Sequence, residues 1–265
     1  MLINNVQIGG DPELFLREKE TGKIITAEGL VKGTKSKPFN FDPEDEFACT
    51  SLDCVLAEIN LKPAKTKAEY YHAIEKALNY LRNTIPNNLE VVALPAARLE
   101  ADQLVTSIAN TFGCSTDRNV WTDSSNPRPR PMGNLRSAGC HITLGYDNPN
   151  KTVNSMWVKA MDLFLSVPSV IQEPMNERKA LYGKAGAYRQ QKWGAEYRSL
   201  YNYVLSTKEL IEWTYDNTIA AIDFVNEGNS YMLNDEADII IDAINNNNEE
   251  KALYLIDKFD IKLAA

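Results

Sequence analysis

Residues 53–61 read Asp53-Cys54-Val55-Leu56-Ala57-Glu58-Ile59-Asn60-Leu61. Val55, Ala57, Ile59 and Leu61 fall at every second position, the period at which side chains of an extended chain share a face. The stretch therefore reads as a strand with one apolar face, and Glu58 and Asn60 lie on the other. A carboxylate on an internal strand costs free energy on the order of several kcal/mol unless something satisfies it. A bound metal ion is one of the few partners that can.

Three other stretches place polar groups in the same way. Gly9-Gly10-Asp11-Pro12-Glu13 lies between the apolar positions Leu2, Ile3, Val6 and Ile8 and the run Leu14-Phe15-Leu16. Asp11 and Glu13, two apart, project to one side and repel each other unless a cation lies between them. The same residues also favour a turn, and this segment alone does not decide between the two. Residues 138–146 read as a strand with Ala138, Cys140, Ile142 and Leu144 on its apolar face and His141 and Thr143 opposite. A lone histidine there also suits a purely structural role, but Gly139 and Gly145 leave room for something to approach. Finally, Glu196 and Arg198 share a strand face, with Arg178, Lys184, Arg189 and Lys192 within twenty residues of them. Guanidinium forks match phosphate and carboxylate oxygens, and a salt-bridged surface strand is the alternative.

The remainder of the chain supplies scaffold. Thr66-Lys67-Ala68-Glu69 is a capping box, and Tyr70, Ile74, Leu78, Leu81 and Ile85 continue it as a helix over about 67–83, ended by Pro86. A strand follows near 90–94 and a short helix near 101–111. Further helices are expected at about 151–166, 206–226 (opened by Ser206-Thr207-Lys208-Glu209), 235–245 and 249–258. Prolines at 127, 129 and 131 and Gly133-Asn134 exclude regular structure from 123–136, whose Arg128, Arg130 and Arg136 suit either a solvated surface loop or a mobile flap presenting arginines to an anion.

The 265 residues suffice for one large domain or two small ones, and 44% hydrophobic with 24% charged residues marks an ordinary globular chain. A net charge of −8 argues against general affinity for nucleic acid. The four cysteines form no CxxC pair and the two histidines are far apart, so zinc is not expected and the thiols read as reduced. Any metal would be held by oxygen, which points to Mg2+ or Mn2+. No apolar stretch approaches the roughly 20 residues of a membrane span. The opening residues lack a basic region followed by an apolar run. A cytoplasmic location follows as the expectation (a host cytoplasm for a phage-encoded chain).

In this order, the four segments resemble the glutamine-synthetase-like carboxylate–amine ligases, in particular the phage-type branch of these amidoligases. Asp11-Pro12-Glu13 is similar to the family's paired acidic residues on its first catalytic strand. Glu58-Ile59-Asn60, followed by Pro63, resembles its Glu-x-Asn strand. Gly139-Cys140-His141-Ile142-Thr143 resembles its Gly-x-His-x-His strand, and Arg189 with Glu196-Tyr197-Arg198 its closing Arg…Glu-x-Arg strand. The likeness spans about residues 7–201. Asp11 stands where Glu is commoner, and Thr143 where the second histidine is usual.

The resemblance implies an α+β fold: a curved antiparallel sheet of glutamine synthetase catalytic-domain type with helices on its outer face, over residues 1–205. A helical C-terminal extension, 206–265, would pack on it. It implies Asp11, Glu13, Glu58 and Glu196 as ligands of two or three Mg2+ ions, with Mn2+ as a substitute. His141, Asn60, Lys184 and Arg189 would contact ATP, and Arg178, Arg189 and Arg198 would supply catalytic positive charge. A carboxylate would take the γ-phosphoryl group to form an acyl phosphate, which an amine then attacks to give an amide. Substrates would be small-molecule or peptide carboxylates and amines, and the protein a homo-oligomer. Two alternatives stay open: a two-metal nuclease built on Asp11, Glu13 and Glu58 with Lys62, and a non-catalytic binding protein on a ligase scaffold.

Overall fold

The computed structural model describes residues 2–44, 47–111, 116–127, 133–173 and 177–264. Its spine is strand β1 (Gln7–Glu18), followed by the short β2 (Ile24–Ile25), β3 (Gly33–Thr34) and β4 (Lys37–Asn40). The hairpin β5 (Ala48–Asp53) and β6 (Leu56–Ala64) leads into helix α1 (Lys67–Thr84), then β7 (Leu89–Val92) and β8 (Ala96–Arg98). Strands β9 (Arg118–Asn119), β10 (Ser124–Ser125), β11 (Leu135–Ser137) and β12 (Cys140–Gly145) come next. After α2 (Lys151–Met161), α3 (Val167–Gln172) and α4 (Arg178–Leu181), the hairpin β13 (Ala187–Gln191) and β14 (Gly194–Tyr197) completes the sheet. Helices α5 (Lys208–Asn226), α6 (Met232–Asp235), α7 (Ala237–Asn246) and α8 (Glu249–Lys258) close the chain.

The large sheet runs β10-β9-β13-β14-β12-β1-β6-β5-β3-β4, with β2 and β7 on the far half of β1. Its pairings are antiparallel apart from the single β3–β5 contact, Thr34 opposite Leu52. One face is the core: Ile8, Leu14, Ala57, Ile59, Ile142 and Leu144 are buried there beneath α1 and α2, on which α5 packs in turn. The other face is polar near its middle. A second, smaller apolar cluster (Phe15, Val55, Leu56, Leu99 and Ala138 among its members) covers that face at one end.

Local chemistry explains where the elements begin and stop. Thr66 caps α1 by accepting the Glu69 N–H at 3.2 Å. The helix ends at Ile85, which is extended (ψ 156°) because it precedes Pro86. Thr207, not Ser206, caps α5, accepting from Leu210 N–H at 3.2 Å. The expected helix over 151–166 instead continues to Gln172 through a π-turn at Asp162–Ser166. Pro168, which has no N–H for the helical ladder, follows directly.

Several expectations fail for identifiable reasons. Residues 101–111 form a 3-10 turn at Ala101–Leu104 followed by irregular turns, not a helix. There the Asn110 amide donates to the Leu104 and Thr106 carbonyls, and Thr106 Oγ1 accepts from Ala109 N–H, so side chains compete with the helical ladder. The ends of 123–136 are paired as β10 and β11, while Arg128 and Arg130 lie outside the described residues. Val55 sits in the β5–β6 turn beside Cys54, whose φ of 56° breaks the alternation, and it packs with Ala138 in the smaller cluster. Leu61, by contrast, keeps its register opposite Gly10 and packs half-buried against the core; the bulge in β6 comes after it, before Ala64. Among the described residues, no helix is long and apolar enough to cross a membrane.

Candidate active site

Strand register assembles the polar face. Asp11 lies opposite His141 on β12, and Glu13 opposite Glu58 on β6. Thr143 and Arg189 flank Glu196 from either side of β14, and Ser51 on β5 stands opposite Glu58. Because each strand alternates, burying its apolar residues in the core forces these groups onto one surface.

Among the described residues, two acidic groups form there, each with ligand atoms within 4.8 Å of one another. The first is Asp11, His141 and Glu196. His141 Nδ1 is 3.1 Å from Asp11 Oδ2 and 3.9 Å from Glu196 Oε1. Burial, reinforced by Arg198, Arg178 and Arg189, pushes the imidazole pKa well below its usual value, so the ring is neutral and a lone pair is free for a cation. Burial pushes the Asp11 carboxyl up to about 6 against the pull of Arg198, Lys35 and Arg189. The group opens into a cleft of about 430 Å3.

The second group is Glu13, Asp53 and Glu58, all buried. Glu13 Oε2 accepts the Gly139 N–H at 2.7 Å, and Glu58 Oε1 accepts from Ser51 Oγ at 2.9 Å. Lys35, on the β3–β4 turn, puts its ammonium 2.5 Å from Asp53 and 3.4 Å from Glu58. Burial, then Asp53 and Glu58, drives the Glu13 carboxyl well above the ordinary range. Burial pushes Glu58 up to about 7, with Lys35 opposing and Asp11 and Asp53 adding to the rise. Three carboxylates so close hold protons or attract a cation.

The arginines are placed unequally. Arg198 is fully buried, bonded to Glu196 Oε1 and the Tyr182 hydroxyl, with Asp117 at 3.5 Å. Arg189 reaches Glu196 at 3.5 Å. Arg178 donates to the carbonyls of Ser199 at 2.9 Å and Arg198 at 3.3 Å, and its guanidinium lies 5.3 Å from the centre of the Tyr182 ring. Its bed depends on Gly183 (φ 79°), where a Cβ would come within 1.6 Å of Arg178 Nη1. Arg136, expected on a flap, is buried in β11 and donates to the carbonyls of Ala109, Gly133 and Leu135.

Asn60 lines the cleft and donates to Ser51 Oγ. Lys184 is exposed in the turn before β13 and lines neither the cleft nor the small closed cavity beside Glu13, Asp53 and Tyr182. Sequence reasoning gave Asp53, Lys35, Asp117 and Tyr182 no role. Asp53 ends β5 beside the Cys54 turn, outside any continuing alternation.

The donor chemistry fits a hard divalent cation. Each group offers carboxylate oxygens, and the first adds a neutral imidazole. In the second group the buried Glu58 Oε2 makes no hydrogen bond and faces the Lys35 ammonium at 3.4 Å, so a cation there would take the place of that ammonium.

No protein-family model and no curated protein sequence matches the chain. Among solved structures, it is similar to one described as "Crystal structure of novel glutamine synthase homolog", at 10% identity and a TM-score of 0.37. The match covers 96% of this chain and 66% of that one, so the chain spans just under two thirds of that protein's length. At that score the likeness carries no argument about activity.

Proposed function

We propose that the chain is an ATP-dependent carboxylate–amine ligase that forms an amide through an acyl phosphate. The observation that supports it best is the pairing on one sheet face of two carboxylate groups with the buried Arg198 and the partly buried Arg189, beside a cleft of about 430 Å3. Asp11, His141 and Glu196 would hold one Mg2+, and Glu13, Asp53 and Glu58 a second. Bound magnesium supplies charge neutralisation at phosphate oxygens. Arg198 holds Glu196 in position, and Arg189 beside it adds positive charge for a transferring phosphoryl group. A substrate carboxylate oxygen attacks the γ-phosphorus and ADP leaves; the amine then attacks the acyl carbon and phosphate leaves. No protein nucleophile is needed.

On this reading residues 1–205 form the catalytic unit, the polar side of the sheet is its concave side, and the helices after 205 buttress it. Small-molecule or peptide carboxylates and amines are the substrates. The test is phosphate release from ATP with Mg2+, screened over amines and amino acids, with hydroxylamine present to trap acyl phosphate as hydroxamate. Amine-stimulated release with hydroxamate supports the ligase. Neither signal over a broad panel sinks it, and Mg2+-dependent nicking of plasmid DNA would favour the nuclease.

A further inference from the structure

Trp193 is unlike the other tryptophans whose surroundings explain them. Trp157 and Trp213 are buried in the core, and Trp121 donates to Asp162 at 2.6 Å. Trp193 is 46% exposed at the β13–β14 turn, and among the described residues no aromatic ring or cation packs on its face. It lines the cleft whose floor carries Asp11 and Glu196. Its backbone is held, the carbonyl accepting from Tyr146 N–H at 3.2 Å.

The floor beside it is bare. On the polar face, Gly145 lies opposite Gly194, and Gly9 opposite Thr143. An added Cβ at Gly9 would sit 2.8 Å from Thr143 Oγ1, so only glycine keeps that strip flat. Across the cleft, Leu61 and Pro63 of β6 line the wall, with Gln7 and Asn60 as hydrogen-bonding edges. The cleft is therefore apolar and flat at one end and acidic at the other. Trp193 and Glu196 are three residues apart, roughly 10 Å along an extended strand. A ligand that fills it has a planar ring at one end and an anionic, metal-binding group at the other.

We infer that Trp193 is the stacking platform for the base of an adenine nucleotide whose phosphates reach the Asp11–His141–Glu196 group. This deepens the ligase reading and rests on it. The experiment is calorimetric titration of wild type, Trp193→Ala and Trp193→Phe with ADP and with inorganic tripolyphosphate, both with Mg2+. Trp193→Ala should weaken ADP about tenfold, the loss of one base–aromatic stack, on the order of 1.4 kcal/mol. Trp193→Phe should keep most of the affinity, and tripolyphosphate should bind all three proteins alike. In wild type, ADP should also shield an exposed tryptophan from acrylamide quenching, a reading that needs no variant to fold. Unchanged ADP affinity in Trp193→Ala overturns the inference and leaves the ligase standing. A parallel loss of tripolyphosphate makes Trp193 structural and also overturns it. A wild type that binds neither ligand removes the nucleotide reading itself.

Discussion

The two acidic groups share strand β1 and one face of the sheet, and their surroundings differ in three respects. Asp11 and Glu196 face a cleft, the neutral His141 imidazole beside them is buried, and the group is balanced by arginines fixed on β13 and just past β14. Glu13, Asp53 and Glu58 lie under the smaller apolar cluster and are balanced by one lysine on a short hairpin. A rigid guanidinium bonded by several neighbours keeps its partner ionised in place. A half-exposed lysine can withdraw; burial raises carboxyl pKa values in both groups, and neighbouring carboxylates add to the rise of Glu13 and Glu58. The open group is thus preorganised for a cation, while the closed group must first release Lys35.

The largest expected effect comes from exchanging one charge in each group. Glu196→Gln should lower Mg2+-dependent ATP turnover about 100-fold or more, since losing even an outer partner of a metal ligand costs 10–100-fold. Without metal it should also lower Tm, because Arg198 and Arg189 lose their shared carboxylate. Glu13→Gln should raise the metal-free Tm at pH 8. It removes one of three crowded charges, and an amide oxygen can still accept the Gly139 N–H. Thermal melts that move the same way in both variants break the comparison.

Lys35→Met probes the closed group directly. Removing one partner of a fully buried pair costs about 3–5 kcal/mol. Lys35 is 41% exposed, so the loss should be smaller, about 1–2 kcal/mol at pH 8. At pH 5, where Glu58 carries a proton and only the Asp53 contact is left, it should be smaller, and Mn2+ at pH 8 should restore part of it. Urea melts with equal midpoints at pH 8 would show that Lys35 is no counter-ion.

The metal-free protein should also lose stability with rising pH. Asp11 and Glu58 are raised from 3.8 to about 6 and from 4.5 to about 7. Between the unfolded and folded values the native state binds more protons, so this contribution is full below about pH 4 and is lost through pH 6–7. Tm should fall across that window, and Mg2+ or Mn2+ should flatten the slope. A Tm that climbs steadily from pH 4.5 to 7 contradicts the raised values.

Much of this was written in the alternation of single strands. Glu58, Asn60, His141 and Glu196 announce their face because their neighbours at odd spacing are core residues. The signal fails where the period breaks. Asp53 abuts the turn at Cys54, so its alignment with Ser51 carries no continuing pattern. Lys35 stands on a hairpin whose strands are too short for any period, and it reaches the site through long-range pairing to β5. Arg136 looks like a flap arginine because prolines precede it, and nothing in the sequence shows that the chain resumes pairing, with β8, at Leu135. Cross-strand register, which puts Arg189 beside Glu196, is set by the whole sheet and not by either segment.

The smallest effect is expected at Lys184, whose proximity in sequence to Glu196 suggested nucleotide contact. In the fold only its backbone is engaged, the carbonyl accepting from Ser199 Oγ at 2.8 Å and from Ala187 N–H at 3.3 Å. Alanine preserves both bonds, and the exposed ammonium lines no part of the cleft. Lys184→Ala should therefore leave stability within about 0.5 kcal/mol, as surface changes usually do, and ADP affinity within about twofold. Arg189→Ala, by contrast, removes a guanidinium 3.5 Å from Glu196 and should weaken tripolyphosphate as well as ADP. If Lys184→Ala costs tenfold in ADP affinity, the phosphates run toward the turn before β13. The open group would then share its anion with the far end of that hairpin, away from Trp193.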